Sequence, residues 1–211
     1  MGLTQALTKG RSEGDRAVVW VGFGLALTAA MLAVCIVITP QSLRVDDGVS
    51  YLGVHADTII PYAIAFLGAA YCVWRASELT GDLDHGWVLS RFMRVMAFQL
   101  VGLLLTPYTR NDAAHVFFGS TLFLAQLGLA GMAITWLGGS ERQVVVLTGV
   151  MILSGFAAAY YLPQSRGFEL QTQVIFQMSF WALMIRLLRG LRGQSGRCVA
   201  LPDLPLELDQ G

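Results

Sequence analysis

The stretch AVVWVGFGLALTAAMLAVCIVIT, which covers Ala17–Thr39, contains no charged side chain and is followed directly by Pro40. At about 1.5 Å of rise per helical residue, it is long enough to cross a hydrocarbon core of about 30 Å. Proline lacks a backbone N–H and disfavours a helical residue before it, so Pro40 is expected to end the helix. The stretch therefore predicts a transmembrane helix that stops at one face of a membrane.

Similar turns follow two later apolar runs, so the first turn is one of three. The turns read Pro40-Gln41-Ser42-Leu43-Arg44, Pro107-Tyr108-Thr109-Arg110 and Pro163-Gln164-Ser165-Arg166. In each, the hydroxyl side chain is expected to hydrogen-bond the turn backbone, and the arginine is expected to reach a lipid phosphate or a nearby carboxylate. Two explanations stay open: three helices simply end at one interface, or the turns assemble a site. Both predict three helical hairpins whose turns lie on one side of the membrane.

The composition of the whole chain fits a membrane protein. The chain is 55% hydrophobic and 13% charged, which is about half the charge of an average soluble domain. A helix is expected to start near Trp87 and to end before Pro107, with Arg91 and Arg94 reaching back to the interface. The remaining apolar runs predict spans at Thr58–Trp74, Ala113–Leu137, Gln143–Leu162 and Leu170–Ile185. We therefore predict an all-α polytopic membrane protein with six transmembrane helices arranged as three hairpins.

The distribution of basic residues predicts the orientation of these helices. With six helices and both ends on one side, eleven of the 14 Lys and Arg residues fall on the side of the termini. Because basic residues are enriched in cytoplasmic loops, both termini are predicted to be cytoplasmic and the three turns to face outward from the cell membrane. We expect a cytoplasmic N-terminal tail (1–16), a six-helix transmembrane domain (17–193) and a disordered cytoplasmic C-terminal tail (194–211).

Several classes of function find no support in the sequence. The formal net charge is zero, so nothing indicates nucleic-acid binding. The three cysteines, Cys35, Cys72 and Cys198, lie on different elements, and nothing in their number or placement indicates a disulfide framework. The sequence contains neither an HxxxH nor an HExxH motif and no serine elbow. We therefore predict no metal, no cofactor and no catalytic residue.

Polar residues at the outward ends of the predicted helices form an expected outer polar cup. The candidate ligand-binding residues are His55, Asp57, Arg110, Asp112, His115, Arg166, Glu169 and Gln173. Asp112 and His115 are three residues apart, so they share a helix face. The interpretation we favour is a hydrogen-bond network that ties the hairpins together. The alternatives are a metal site built from histidines and carboxylates, and acid–base catalysis on a lipid head group by His115 with Asp112 or Glu169.

A second polar set lies within the apolar spans. Glu169, Gln173 and Gln177 recur every four residues along the last helix, and Gln99 and Gln126 lie in two other helices. Amides in hydrocarbon are unfavourable unless paired, so these side chains are expected to face the bundle interior. They either join helices by hydrogen bonds, which we favour, or line a polar cavity that leads inward from the cup.

Several short stretches resemble a group of six-helix membrane proteins, the bacterial proteins of unknown function related to the DRAM-type and Frag-type proteins. These stretches are Ser50-Tyr51-Leu52-Gly53, Pro107 with the later His115 and Phe118, Gly167-Phe168-Glu169-Leu170-Gln171, and the end of the last helix from Arg186 to Arg192. Together they cover about residues 50–192. The resemblance implies six helices and no established enzymatic activity.

We therefore expect a non-enzymatic integral membrane protein: a small membrane subunit, or a protein that binds a lipid or another apolar ligand through the outer polar cup. Its expected partners are membrane lipids, other membrane subunits or a second copy of the chain. The first alternative is a membrane-embedded enzyme that acts on lipid or isoprenoid substrates through its histidines and carboxylates. The second is a small-molecule transporter, which requires a continuous polar path through Gln99, Gln126, Gln173 and Gln177.

Overall fold

The computed structural model describes residues 3–44, 48–138, 141–161 and 168–195, and this part of the chain is helical with short connections. The long helices are α1 Leu3–Ile38, α2 Ile59–Glu78, α3 Gly86–Leu105, α4 Asp112–Leu137, α5 Arg142–Tyr161 and α6 Glu169–Ser195. Two short 3-10 helices, Pro40–Arg44 and Gly48–Gly53, lie between α1 and α2. Each long helix contains a stretch long and apolar enough to cross a membrane. The predicted all-α, six-helix architecture of a multi-pass membrane protein is confirmed.

The first and last helices extend beyond the predicted spans. α1 begins at Leu3, within the predicted N-terminal tail, and α6 continues to Ser195. Neither extension contains a proline, so nothing in the backbone chemistry ends these helices at the membrane surface. An ion pair between Asp15 and Arg192 joins the two extensions. Most of the predicted C-terminal tail, residues 196–211, lies outside the described part of the chain.

Contacts between distant parts of the chain define two ends of the bundle. We call one end the hairpin face; it comprises residues 39–44, 48–58 and 106–111 with the first turns of α4 and α6. On this face Gln171 Nε2 donates a hydrogen bond to the carbonyl oxygen of Leu43 at 2.8 Å. The opposite end, the terminal face, comprises the start of α1, residues 79–85, Gly138, Glu141 and the end of α6. On this side Arg186 of α6 forms an ion pair with Glu141.

The apolar side chains are arranged as expected for a protein dissolved in lipid. Toward the terminal face, the side chains of Met93, Leu129 and Leu187 are fully buried where α3, α4 and α6 meet. On the outside of the bundle, large apolar side chains are exposed instead, including Leu153 at 73% and Phe156 at 75%. Exposed apolar surface of this kind is unfavourable in water and favourable against lipid tails. The burial pattern therefore supports the membrane location.

In the two turns that the structure describes, the predicted contacts with protein groups are not seen for Ser42, Arg44 and Arg110. The hydroxyl of Ser42 is buried and has no hydrogen-bond partner there. Arg44 and Arg110 are exposed, and neither forms an ion pair with a carboxylate of the described residues. The first turn is held instead by the α6 side chain of Gln171, which bonds its backbone. The third predicted turn lies outside the described residues.

Candidate functional site

The half of the bundle toward the hairpin face contains a cavity of about 640 Å³. All six helices and the second 3-10 helix contribute to its wall. Most of the larger wall residues are apolar, among them Leu32, Phe66, Leu100, Leu122, Phe123, Phe176, Phe180 and Trp181. Ligand cavities in proteins commonly have volumes of about 300–1,000 Å³ and mostly apolar walls. This hairpin-face cavity is therefore the candidate ligand site.

The ionisable side chains of the cavity, together with several of its hydrogen-bonding ones, lie at the end nearest the hairpin face. Ser50 comes from the second 3-10 helix, Asp112 and His115 from the first turn of α4, and Glu169 and Gln173 from the start of α6. Because α4 and α6 both begin at the hairpin face, their first polar residues lie at a similar depth. Asp112 is exposed and marks the mouth of the cavity. The cavity is thus polar at its mouth and mostly apolar toward the middle of the bundle.

His115 is held through both nitrogens of its ring. Nδ1 lies 2.7 Å from the carbonyl oxygen of Thr106, and Nε2 lies 2.7 Å from the hydroxyl oxygen of Ser50. A carbonyl oxygen only accepts hydrogen bonds, so Nδ1 carries the proton. In the neutral imidazole Nε2 is then an acceptor, and the Ser50 hydroxyl donates to it. The ring of Tyr108 meets the imidazole edge-on, with 6.1 Å between ring centroids.

The loop that carries Ser50 is fixed against α6. The backbone N–H of Val49 donates to Gln173 Oε1 at 2.9 Å, and Gln173 Nε2 donates to Glu169 Oε1 at 2.8 Å. Gly48 has a φ of +58°, and a Cβ at this position would lie 2.5 Å from Gln173 Oε1. Only glycine adopts this left-handed conformation without strain and leaves room for the amide. The position of Ser50 therefore depends on Gly48 and on α6.

Two amides deeper in the cavity form a closed pair. Gln126 Nε2 donates to Gln177 Oε1 at 2.9 Å, and Gln177 Nε2 donates back to Gln126 Oε1 at 3.2 Å. The pair joins α4 to α6, and both residues also line the cavity. This pair therefore does both things that were considered for the polar set: it joins two helices by hydrogen bonds, and it lines the cavity. Gln99 is buried as predicted, but it does not contribute to the cavity wall.

The cavity ends near the middle of the bundle. Val73 and Met96 are the wall residues of α2 and α3 that lie farthest from the hairpin face. The next buried side chains toward the terminal face include Met93, Leu129 and Met184, all of which are apolar. Among the described residues the cavity wall does not reach the terminal face, and the polar path that a transporter requires is not seen among them.

The candidate residues predicted from the sequence do not all meet. Four of them line the cavity together: Asp112, His115, Glu169 and Gln173. His55 instead packs its ring against Tyr51, with 4.0 Å between centroids. Asp57 and Arg110 are exposed, and neither they nor His55 contribute to the described cavity wall. Arg166 lies outside the described residues.

The sequence does not predict the two residues that orient His115. Ser50 and His115 are 65 positions apart in the chain, so no local spacing predicts their contact. Thr106 acts through its backbone carbonyl, which carries no residue-specific signal. The available clue is Gly48, since a glycine two positions before a serine in the connection between two helices favours a constrained turn.

Metal binding finds no support in the geometry of this site. Across the described ranges, no three His, Cys, Asp or Glu side chains are grouped as metal ligands would be. His115 has both ring nitrogens engaged by protein groups, and His55 packs on an aromatic ring. What the geometry does provide is a hydrogen-bonded polar mouth above an apolar cavity.

Comparison of the chain with models of protein families, with curated proteins and with solved structures gives no match. The resemblance to the DRAM-type and Frag-type group therefore stays a prediction. Function has to be inferred from the hairpin-face cavity itself.

Proposed function

We propose that the protein binds one molecule of a single-chain amphiphile in the hairpin-face cavity. The polar head lies at Ser50, Asp112, His115 and Gln173, and the chain lies among the apolar walls. The observation that carries this proposal is the division of one cavity of about 640 Å³ into a polar mouth and an apolar body. Of the roles expected from the sequence, lipid binding is the one that this geometry favours.

The chemistry of the head group decides which amphiphile binds. A chain that moves from a bilayer into an apolar cavity exchanges one apolar surrounding for another, so little hydrophobic free energy favours the transfer. Affinity then comes from packing against rigid walls, such as the stacked rings of Phe123 and Phe176 with centroids 4.7 Å apart, and from hydrogen bonds at the head. Selection among lipids therefore takes place at the mouth of the cavity.

The mouth is suited to a neutral head group with hydroxyls. The described cavity wall offers carboxylate, imidazole, amide and hydroxyl groups but contains no Lys or Arg. A phosphate head would lose its water there without gaining a cationic partner. Hydroxyl groups of a polyol donate to carboxylates such as Asp112 and to amide oxygens without a net charge to bury. A glycerol-headed lipid is the simplest ligand with this chemistry.

We further propose that the hairpin face lies outside the cell membrane and that both termini are cytoplasmic. The support for this orientation is that eleven of the 14 Lys and Arg residues fall on the side of the termini, since basic residues are enriched in cytoplasmic loops. In this orientation the mouth of the cavity meets the outer boundary of the membrane. The ligand then enters from the outer leaflet or from the aqueous side.

The binding proposal is tested by native mass spectrometry of the detergent-released protein with dodecyl glycerol ether. We expect saturable binding of one ether per chain. Gly119→Leu fills the cavity, because Gly119 lines it and a Cβ there meets its nearest neighbour, Leu103, only at 3.6 Å. We expect this variant to bind at least about tenfold more weakly, a difference of about 1.4 kcal/mol.

The matched control is Gly131→Leu on the same helix, where a Cβ would meet no atom within 4 Å and which is not part of the cavity wall. It is expected to bind the ether as the unmodified protein does. Dodecyl phosphate is expected to bind more weakly than the ether, because the described wall offers it no cation. Equal binding by Gly119→Leu and Gly131→Leu would show that the ether associates elsewhere and would overturn the proposal.

A further inference from the structure

The mouth of the cavity contains a serine and a histidine in the arrangement of an activated nucleophile. Such a site needs a hydroxyl, a base within hydrogen-bond reach of it, and a third group that fixes the base. Ser50 Oγ lies 2.7 Å from His115 Nε2, and the carbonyl oxygen of Thr106 holds the opposite ring nitrogen at 2.7 Å. The resulting tautomer directs the free lone pair of Nε2 at the serine hydroxyl.

Both reactive groups face the space that the ligand is proposed to occupy. Ser50 and His115 line the cavity between the exposed Asp112 at its mouth and the apolar walls below. In a bound amphiphile, this is the level at which the head joins the chain. An ester that connects a fatty acid to glycerol has its carbonyl at that junction.

The serine is also held in place before any ligand binds. Its neighbour Val49 is bonded to Gln173, which is bonded in turn to Glu169. The left-handed Gly48 sets the direction of the chain two residues before Ser50. A nucleophile fixed in this way loses little freedom when the substrate arrives, which favours reaction.

We propose that Ser50 is the nucleophile and His115 the general base of an acyl-transfer site that acts on a carboxylic ester of the cavity-bound amphiphile. The proposal rests on the proposed binding function, because the ester reaches Ser50 only through the cavity. It corresponds to the membrane-enzyme alternative and departs from the non-enzymatic role favoured by the sequence. It also differs from the predicted chemistry, since the partner of His115 is Ser50 and not Asp112 or Glu169.

The reaction balances with water as the only co-reactant. Ser50 Oγ forms a bond to the ester carbonyl carbon while its proton moves to His115 Nε2. The bond from that carbon to the glycerol oxygen breaks, and the glycerol oxygen takes the proton from Nε2. Water then attacks the acyl-serine and gives a proton to His115, which returns it to Ser50 Oγ as the fatty acid leaves. The sum is hydrolysis of one ester to an alcohol and an acid, with no change of oxidation state.

The competing explanation is that the hydrogen bond only ties the loop to α4. The two explanations differ in the reactivity of the hydroxyl, because a serine without an activating base reacts poorly with acylating and phosphonylating reagents. The test is therefore the reaction of an alkyl fluorophosphonate with the full-length protein in detergent or nanodiscs. The attached mass is located by peptide mass spectrometry.

We expect stoichiometric labelling of Ser50 and no labelling at that position in Ser50→Ala. His115→Gln should slow the labelling by about 100-fold or more, the range typical for loss of a general base. Ser42→Ala is the matched control: Ser42 lies in the neighbouring 3-10 helix, is buried, and has no hydrogen bond among the described residues. That variant should label at the rate of the unmodified protein. If His115→Gln fails to fold, Ser50→Ala, which removes a single oxygen, still decides whether Ser50 is the nucleophile, and His115→Asn then replaces His115→Gln as the test of the base.

A pair of related ligands separates failure of this proposal from failure of the binding function. Monolauroylglycerol has the cleavable ester, and dodecyl glycerol ether has a chain of the same length without it. Release of laurate that is lost in Ser50→Ala supports the acyl-transfer site. Binding of the ether together with an uncleaved ester and an unlabelled Ser50 would overturn the acyl-transfer site and leave the binding function intact. Labelling that is independent of His115 would overturn it as well.

Discussion

At the scale of single residues, Gly48 has the largest influence on the mouth of the cavity. Its φ of +58° is strained for any other residue, and a Cβ at this position would lie 2.5 Å from Gln173 Oε1, so the Gln173 amide would have to shift. We expect Gly48→Ala to lower the free energy of unfolding by about 2 kcal/mol, because a non-glycine residue in the left-handed region is strained by roughly 1–2 kcal/mol and the hydrogen bond of Gln173 is disturbed as well. The measurement is unfolding in mixed micelles.

The control for this prediction is Gly81→Ala in the connection after α2. A Cβ at Gly81 would meet no atom within 4 Å, and its φ is not in the left-handed region. We expect Gly81→Ala to change stability by less than about 0.5 kcal/mol, as is usual for a surface substitution. Equal effects at the two glycines would show that the loop does not hold the strained conformation described here.

Also at the residue scale, the sequence predicts the cavity residues that are neighbours on one helix, but not the contact between a helix and a loop. Asp112 and His115 were predicted to share a face because helical spacing is local, and both line the cavity. Ser50 was not predicted as the partner of His115, because that contact depends on how the α1–α2 connection folds back onto α4. His55 was grouped with His115 on depth alone, whereas its ring packs on Tyr51. Depth in the membrane is readable from the sequence, but the direction of a loop side chain is not.

At the scale of helices, the close approach of α1 to α2 and α6 depends on Gly24. A Cβ at Gly24 would lie 2.7 Å from the indole of Trp181 and 3.0 Å from the Cβ of Cys72. Gly24→Val is therefore expected to push the helices apart and to lower stability by about 1–3 kcal/mol, the usual effect of overpacking a core. Gly22→Val is a matched control on the same helix, because a Cβ there would meet nothing within 4 Å. A similar loss of stability in both variants would contradict this packing.

The positions of the helices follow from the sequence more readily than their contacts. Long uncharged runs and prolines give the six spans to within a few residues at most ends, because a bilayer requires a minimum apolar length. The pairing of α1 with α6 is less predictable, since the outside of a membrane helix is as apolar as its inside. Phe156 is 75% exposed and Phe176 is buried, although both lie in apolar runs. Only polar residues such as Gln126 and Gln177 reveal which faces turn inward.

At the scale of the whole molecule, the proposed orientation predicts which loops are reachable from outside a cell. In a protein whose native cysteines, Cys35, Cys72 and Cys198, are replaced by alanine, Gln41→Cys lies on the hairpin face and Asp82→Cys on the terminal face. Both sites are exposed in the fold. We expect a membrane-impermeant maleimide to label Gln41→Cys in intact cells and Asp82→Cys only after lysis. The reverse pattern would place the cavity mouth in the cytoplasm.

The central claim, that an amphiphile occupies the hairpin-face cavity, is tested most directly by the fluorescence of Trp181. This side chain lines the cavity and is 4% exposed, whereas the other four tryptophans, Trp20, Trp74, Trp87 and Trp136, are not part of the cavity wall and can be replaced by phenylalanine. The ligand is dodecyl glycerol ether with bromine on its chain, which quenches a tryptophan on contact. We predict saturable quenching that the unbrominated ether reverses and that Gly119→Leu abolishes. Quenching that grows without saturation, resists competition and persists in Gly119→Leu would contradict the account.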